Sequence, residues 1–369
     1  CFGIGATLGR RYGPGAIRII PSASSFSLVA ARLSWSLSEI DCLTVHGRDL
    51  DRVKAFFLPG NKIIVLTNDG KTPNQIAGLL KEAGFGGSLI TVFSHIGGAN
   101  EQSFESTAID WDHKAVPDLN TMAIECLADA GLIPKARVPG LPDSVFESDG
   151  QLTKREVRAI TISSLAPMPG QMLWDIGAGC GSISIEWLRG TRNARAIAVE
   201  RNMDRLGMIN RNALALGVPE LKVIFGEALT EIVGLPSPDA VFIGGGVTSD
   251  GLLEYCWQNL RSGGRLVVNS VTFESERRLF DAHKKLGGEL NKIGNYKFSK
   301  WEDEKFFNLK PVFLPDGIIF FNKKGTIIRY DENQKVIWKQ NHYSKSEKKL
   351  QPKLNFLLDK KNLFITDNI

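Results

Sequence analysis

The chain has 369 residues, enough for two domains that each bury a core. Its 43% hydrophobic and 23% charged residues are ordinary for a globular protein, and no apolar run is long enough for a membrane-spanning helix. A net charge of +5 is too mild and dispersed to argue for nucleic acid, and five scattered cysteines without a CxxC pair support neither a zinc site nor a disulfide framework.

The first zone runs from Cys1 to about Phe146 and alternates strand-like with helix-like stretches. AIRII (16–20), CLTVH (42–46), KIIVLT (62–67) and SLITVF (88–93) predict strands, while 24–35 and 72–84 predict helices, so the zone reads as α/β. It opens directly on FGIGATLG, read as the middle of a glycine-rich turn with no strand before it, so the natural N-terminus is expected further upstream. Residues 134–151 are rich in Pro, Gly and acidic residues and read as a linker between domains 1–133 and 152–321.

The second zone starts with a predicted helix over 152–165. Five strands are expected at QMLWDIG, ARAIAVE, LKVIFG, DAVFIGG and GRLVVNS, with helices at SISIEWLRG and MDRLGMINRNALALG between them and further strands near 291–298 and 311–321. Residues 322–369 form an unassigned tail dense in Lys and Asn. There 324–339 reads as a hairpin and 363–368 as a strand, faintly like one propeller repeat, which could not bury its own face; a gene-fusion junction or a frame error is the plainer account.

Within LWDIGAGCGSISIEW (173–187), the loop Gly177-Ala178-Gly179-Cys180-Gly181-Ser182 has GxGxG spacing, with Ser182 where a dinucleotide fingerprint has its third glycine. Asp175 ends the preceding strand, and Glu200 ends the next one 25 residues later. That combination is the first motif of Rossmann-like class I methyltransferases that use S-adenosylmethionine. Glycines let backbone approach such a ligand without a Cβ clash, and an acid at a strand tip can accept from two ribose hydroxyls. Glu227 is expected near the adenine, Gly244, Gly245 and Gly246 at the substrate mouth, and Thr153, Arg201 and Ala228 beside the cofactor loops. Taken singly, a glycine loop can be a tight turn, and Glu200 or Glu227 a surface acid; the joint spacing carries the reading.

Several stretches together resemble one family. LTKREVRA, LWDIGAGCGSISIEW, AIAVERN, GEA and IGGG look like the decarboxylating domain of precorrin-6Y C5,15-methyltransferases, enzymes of cobalamin synthesis. FGIGATLGRRYGP, IRIIPSASSFSLVAARL, LTVHGR and LTNDGKTPNQIA resemble the tetrapyrrole methylase domain fused ahead of it. The match covers residues 1 to about 321 and omits the tail. It implies an α/β fold class: a truncated tetrapyrrole methylase domain, then a Rossmann-like class I S-adenosylmethionine-dependent methyltransferase domain. It further implies two methyl transfers to precorrin-6B, at carbons 5 and 15, with loss of the ring C acetate carboxyl to give precorrin-8X. The second domain is associated with carbon 15 and the decarboxylation, the first with carbon 5.

The family's first domain begins with a strand, a glycine-rich loop and a Gly-Asp-Pro turn that would precede Cys1, so impaired carbon-5 methylation is expected. Arg10, Arg11 and Arg48 in the first domain, and Lys154 and Arg201 in the second, are candidates to meet the substrate's carboxylates, though each could be a solvated surface charge. His46 could move a proton or be structural, and Asn269 in VNSVTFE is expected to line the substrate pocket. No catalytic residue is assigned, and no metal is required. A homo-oligomer in the cytoplasm is expected, with a small-molecule tetrapyrrole as partner and neither nucleic acid nor membrane. The rival readings are an NAD(P)-dependent dehydrogenase, a methyltransferase of RNA or protein, and a non-catalytic S-adenosylmethionine-binding module.

Overall fold

The computed structural model describes residues 4–288, apart from Pro14, Pro21 and Val271, and then only short segments within 312–368. It divides into two units, Cys1–Lys292 and Ile293–Ile369.

The first unit begins with helices α1 (Ile4–Tyr12) and α2 (Ser25–Leu33). The opening stretch expected as a turn is therefore helical from Ile4, and AIRII forms no strand. Next come β1 (Asp41–Thr44), β2 (Lys62–Leu66), α3 (Thr72–Glu82), β3 (Leu89–Ser94), β4 (Gln102–Thr107) and β5 (Asn120–Glu125). They form a mixed sheet in the order β1-β2-β5-β3-β4, in which only β1 and β2 run parallel. Alternation along β2 covers both faces. Ile63 and Val65 join Ile76 and Leu80 of α3 on one side, and Ile64 joins Phe26 and Val29 of α2 on the other.

The same unit continues with α4 (Arg155–Leu165), β6 (Met172–Ile176), α5 (Ser182–Gly190), β7 (Arg195–Glu200), α6 (Met203–Ala215), β8 (Lys222–Phe225) and α7 (Ala228–Glu231). It closes with β9 (Ala240–Ile243), α8 (Leu252–Asn259), β10 (Arg265–Val268) and α9 (Phe273–Leu286). The five expected strands all form, and they pair in parallel in the order β10-β9-β6-β7-β8. All of β6 is buried, as a central parallel strand requires. Leu173 packs with Ile162 of α4, Ile185 of α5 and Ile209 of α6, whereas Met172, Trp174 and Ile176 pack with Leu253 of α8 and Ala282 of α9. Strand order reverses between β6 and β9, so the loops after these strands part there and leave a crevice at the strands' C-terminal ends.

Residues 134–151 form neither strand nor α-helix, only bends and the 3-10 turn Asp143–Val145, yet they are held. Leu141 and Phe146 are buried in the core beside β6. The N–H groups of Gly140 and Leu141 donate to the Glu186 carboxylate on α5 at 2.7 and 2.9 Å. Arg158 of α4 lies fully buried beneath this segment, donating to Glu186 at 2.6 Å, to Asp143 at 3.1 Å, and to the carbonyls of Thr153 and Leu141.

The second unit has an antiparallel sheet of β11 (Val312–Leu314), β12 (Gly317–Phe321), β13 (Thr326–Asp331) and β14 (Val336–Asn341), in chain order. The expected hairpin is β13–β14. The strands expected over 311–321 pair with it rather than with the parallel sheet. A separate hairpin joins β15 (Lys353–Asp359) to β16 (Asn362–Asn368). The strand expected at 291–298 lies outside the described residues. No helix among the described residues is long and apolar enough to cross a membrane.

Candidate active site

A cavity of about 630 Å³ opens at the crevice between β6 and β9. Its floor is the loop between β6 and α5, whose three glycines all have left-handed φ values yet serve different ends. At Gly177 a Cβ would sit 3.0 Å from the Gly245 backbone nitrogen, so that glycine lets two site loops touch. At Gly181 a Cβ would sit 2.9 Å from Ile209 Cγ2, so that one lets α5 pack on α6. Only at Gly179 would a Cβ meet nothing closer than ordinary contact, with the Gln151 carbonyl oxygen at 3.7 Å.

Glu200 crosses from the end of β7 to this loop. Its side chain is buried, with one oxygen accepting the Gly179 N–H at 2.8 Å and the other the Asn202 N–H at 3.0 Å. Each oxygen keeps a lone pair for a further donor. Asn202 then caps α6 by accepting from the N–H groups of Asp204 and Arg205.

Asp175 was expected at the ligand and instead lies beneath it, fully buried and away from the cavity wall. Its Oδ2 accepts from both the N–H and the hydroxyl of Ser184, at 3.1 and 2.6 Å, which fixes the start of α5. Its Oδ1 is buried with no hydrogen-bond partner among the described residues. Burial pushes its pKa up from 3.8 to about 6, against the pull of the Ser184 bonds, and the Glu200 charge adds to the rise. A raised acid pKa stabilises the fold fully below the unfolded value. The stability is lost as pH rises through about 6. We expect Asp175→Asn to remove up to about 3 kcal/mol of this pH dependence between pH 4 and 7, measured by urea unfolding at several pH values. Parallel profiles for variant and wild type would refute it.

The remaining expected residues divide. Thr153, Gly177, Gly179, Ser182, Glu200, Arg201, Glu227, Ala228, Gly244, Gly245, Gly246 and Asn269 line the cavity, and Gly181 supports it from behind. Arg201 and Glu227 pair at 3.3 Å across the rim, both largely exposed. Asn269 exchanges hydrogen bonds with Thr161 at 3.1–3.2 Å. Lys154 also lines the cavity. Arg10 and Arg11, expected at substrate, sit on exposed α1 and do not line it, because α1 contributes nothing to the crevice. His46 is exposed, and Arg48 lines a different cavity. The sequence reading missed Arg205, which donates to Asp149 and Gln151 at 2.8 Å and so holds the 149–154 segment as a cavity wall. An Asp-x-Gln pair and an arginine more than fifty residues apart give no local signal.

The glycine loop yields a paired test. Gly181→Ala should cost about 1–3 kcal/mol of stability, from strain at positive φ plus the Ile209 clash. Gly179→Ala should cost about 1 kcal/mol, from φ alone, but weaken S-adenosylhomocysteine binding. Denaturant unfolding and calorimetry distinguish the two, and reversed effects would contradict this division of roles.

Residues 3–110 match the family model described as tetrapyrrole (corrin/porphyrin) methylases, and residues 144–307 match a precorrin methyltransferase domain. A Sinorhizobium protein named precorrin-6Y C(5,15)-methyltransferase [decarboxylating] is 47% identical over 292 residues, covering 79% of this chain and 71% of that protein. The chain belongs to the decarboxylating precorrin-6Y C(5,15)-methyltransferase family. A Mycobacterium tuberculosis protein of the same name is 38% identical over 298 residues, covering 80% of this chain and 73% of that protein. A Saccharolobus solfataricus protein is named probable cobalt-precorrin-6B C(15)-methyltransferase (decarboxylating). It is 31% identical over 156 residues, covering 41% of this chain and 78% of its own. That name confines the S. solfataricus protein to carbon 15, whereas the first two names give carbons 5 and 15.

Proposed function

We propose that the parallel-sheet half methylates carbon 15 of a precorrin and releases the ring C acetate carboxyl as carbon dioxide, while the mixed-sheet half serves carbon 5. The reaction itself is the family's: S-adenosylmethionine-dependent C-methylation of a precorrin in cobalamin synthesis, with decarboxylation. The carrying observation is the Glu200 carboxylate accepting the Gly179 N–H of the glycine loop in a cavity of about 630 Å³. That volume suits a small-molecule ligand, and Glu200 retains acceptor capacity there. Both fit S-adenosylmethionine.

S-Adenosylmethionine, when bound, supplies a methyl group on a positively charged sulfur that an electron-rich ring carbon takes by in-line displacement. This chain's residues do the positioning. Glu200 would accept from ribose hydroxyls while holding the loop apex rigid, and the glycine loop would lie along the ligand. Gly245, with no atom within 4 Å of its Cβ position, leaves room for a bulky acceptor at the mouth. Lys154 and Arg201 stand exposed on the cavity wall beside Asp143 and Glu227, and substrate carboxylates would compete for their charge. Alignment of methyl donor and ring carbon would then supply much of the acceleration. We also assign a homo-oligomeric state and no nucleic-acid partner to this reading.

The test is incubation with precorrin-6B and S-adenosylmethionine, read by mass spectrometry. Gain of one methyl with loss of carbon dioxide supports carbon 15, and gain of two adds carbon 5. No mass change, with S-adenosylmethionine demonstrably bound, overturns the reading.

A further inference from the structure

A second cavity, of about 680 Å³, shares no lining residue with the first. One wall is β1, an outer strand of the mixed sheet, with the 3-10 helix Leu50–Phe56. The other is the C-terminal end of α5 with the turns that lead into β7 and β8. It therefore opens at the N-terminal ends of the parallel strands, opposite the glycine loop.

Five arginines line it, Arg48, Arg52, Arg137, Arg189 and Arg192, against two carboxylates, Asp41 and Glu220. Only Arg192 stands near one of these, 3.9 Å from Asp41. Arg48 and Arg52 have no ion-pair partner among the described residues. Arg189 is 3% exposed, and its guanidinium donates only to carbonyls, at 2.5 Å to Leu216 and 2.6 Å to Lys135. Its buried Nε–H has no partner among the described residues. Arg137 adds a second charge, donating to the Arg189 carbonyl at 3.3 Å and lying over Phe56 at 4.9 Å. Burial and Arg137 push the Arg189 pKa down to about 10, and burial and Arg189 push the Lys135 ammonium down as well. Arg189 is thus a buried cation beside the half-buried Lys135 and Arg137, with the Glu186 charge offsetting it in part, and a further anion would relieve the crowding.

We propose that this cleft is a second ligand site, built for a polycarboxylate. Its arginines stand on both walls, so an anion carrying several carboxylates can engage more than one of them. Arginine's planar fork matches carboxylate oxygens in pairs. A tetrapyrrole bearing several acetates and propionates has this chemistry; that identification rests on the function proposed above, whereas the polycarboxylate site does not.

The experiment uses the full chain saturated with S-adenosylhomocysteine and follows the fluorescence of uroporphyrin, a polycarboxylated porphyrin. The variant is the double change Arg48→Gln with Arg52→Gln, at two side chains that are exposed or half-buried. Uroporphyrin is expected to bind, to be displaced by mellitate, and to bind the double variant at least about tenfold more weakly, with S-adenosylhomocysteine affinity unchanged. Binding that the substitutions leave unchanged, or that S-adenosylhomocysteine abolishes, would overturn the proposal. Displacement by inorganic pyrophosphate but not by mellitate would overturn the carboxylate assignment. Failure of precorrin turnover would leave this binding result standing.

Discussion

Replacing Arg158 with alanine is expected to lower the free energy of unfolding by about 3–5 kcal/mol. The guanidinium is fully buried and shares Glu186 with the N–H groups of Gly140 and Leu141, so its loss strands a buried carboxylate. It also frees the carbonyls of Leu141 and Thr153 and removes a cation lying 4.7 Å over the Phe146 ring. Arg158→Lys should lose most of the same stability, because an ammonium cannot serve four acceptors in one plane. Urea unfolding followed by tryptophan fluorescence measures it, since Trp174 and Trp187 are buried in this half. A loss below about 1 kcal/mol, the range of an exposed ion pair, would refute the assignment.

Glu200→Ala should weaken S-adenosylhomocysteine binding at least about a hundredfold. Two charge-assisted hydrogen bonds to a ribose are worth about 1.5–3 kcal/mol each, and about 2.7 kcal/mol corresponds to that factor. The substitution also releases the Gly179 N–H, so the loop that would lie along the ligand loses its brace. Glu200→Gln should fall between wild type and alanine, since one acceptor survives while the amide nitrogen faces a backbone N–H. Calorimetric titration of all three proteins decides it. An alanine variant within about threefold of wild type would show that Glu200 holds the loop and nothing more.

Much of this site was legible in the sequence because its pieces are local. The β6 strand, its glycine loop and the start of α5 are contiguous, and the acid at the end of β7 lies at a spacing set by one strand–helix–strand crossover. What escaped was tertiary. Asp175 reads as a ligand contact by position, but alternation along β6 turns it to the α5 side, where Ser184 takes it. β4 and β5 went unpredicted because QSFEST is polar and NTMAIE mixes Asn and Glu with the helix-favouring Met and Ala, and pairing with β3 makes them strands. AIRII has strand composition, yet no neighbour among the described residues pairs with it. The second cavity draws on residues near 48 and near 190, a conjunction that no single window displays.

The hold of Glu186 and Arg158 on residues 140–153 also says where a gene could be divided. A fragment begun at Leu152, where composition puts the boundary, would discard Leu141 and Phe146 and leave a buried cation and a buried anion facing water. One begun near Lys135 would carry those partners with it. Libraries of shuffled or split enzymes are therefore expected to tolerate a cut near Lys135 better than one at Leu152.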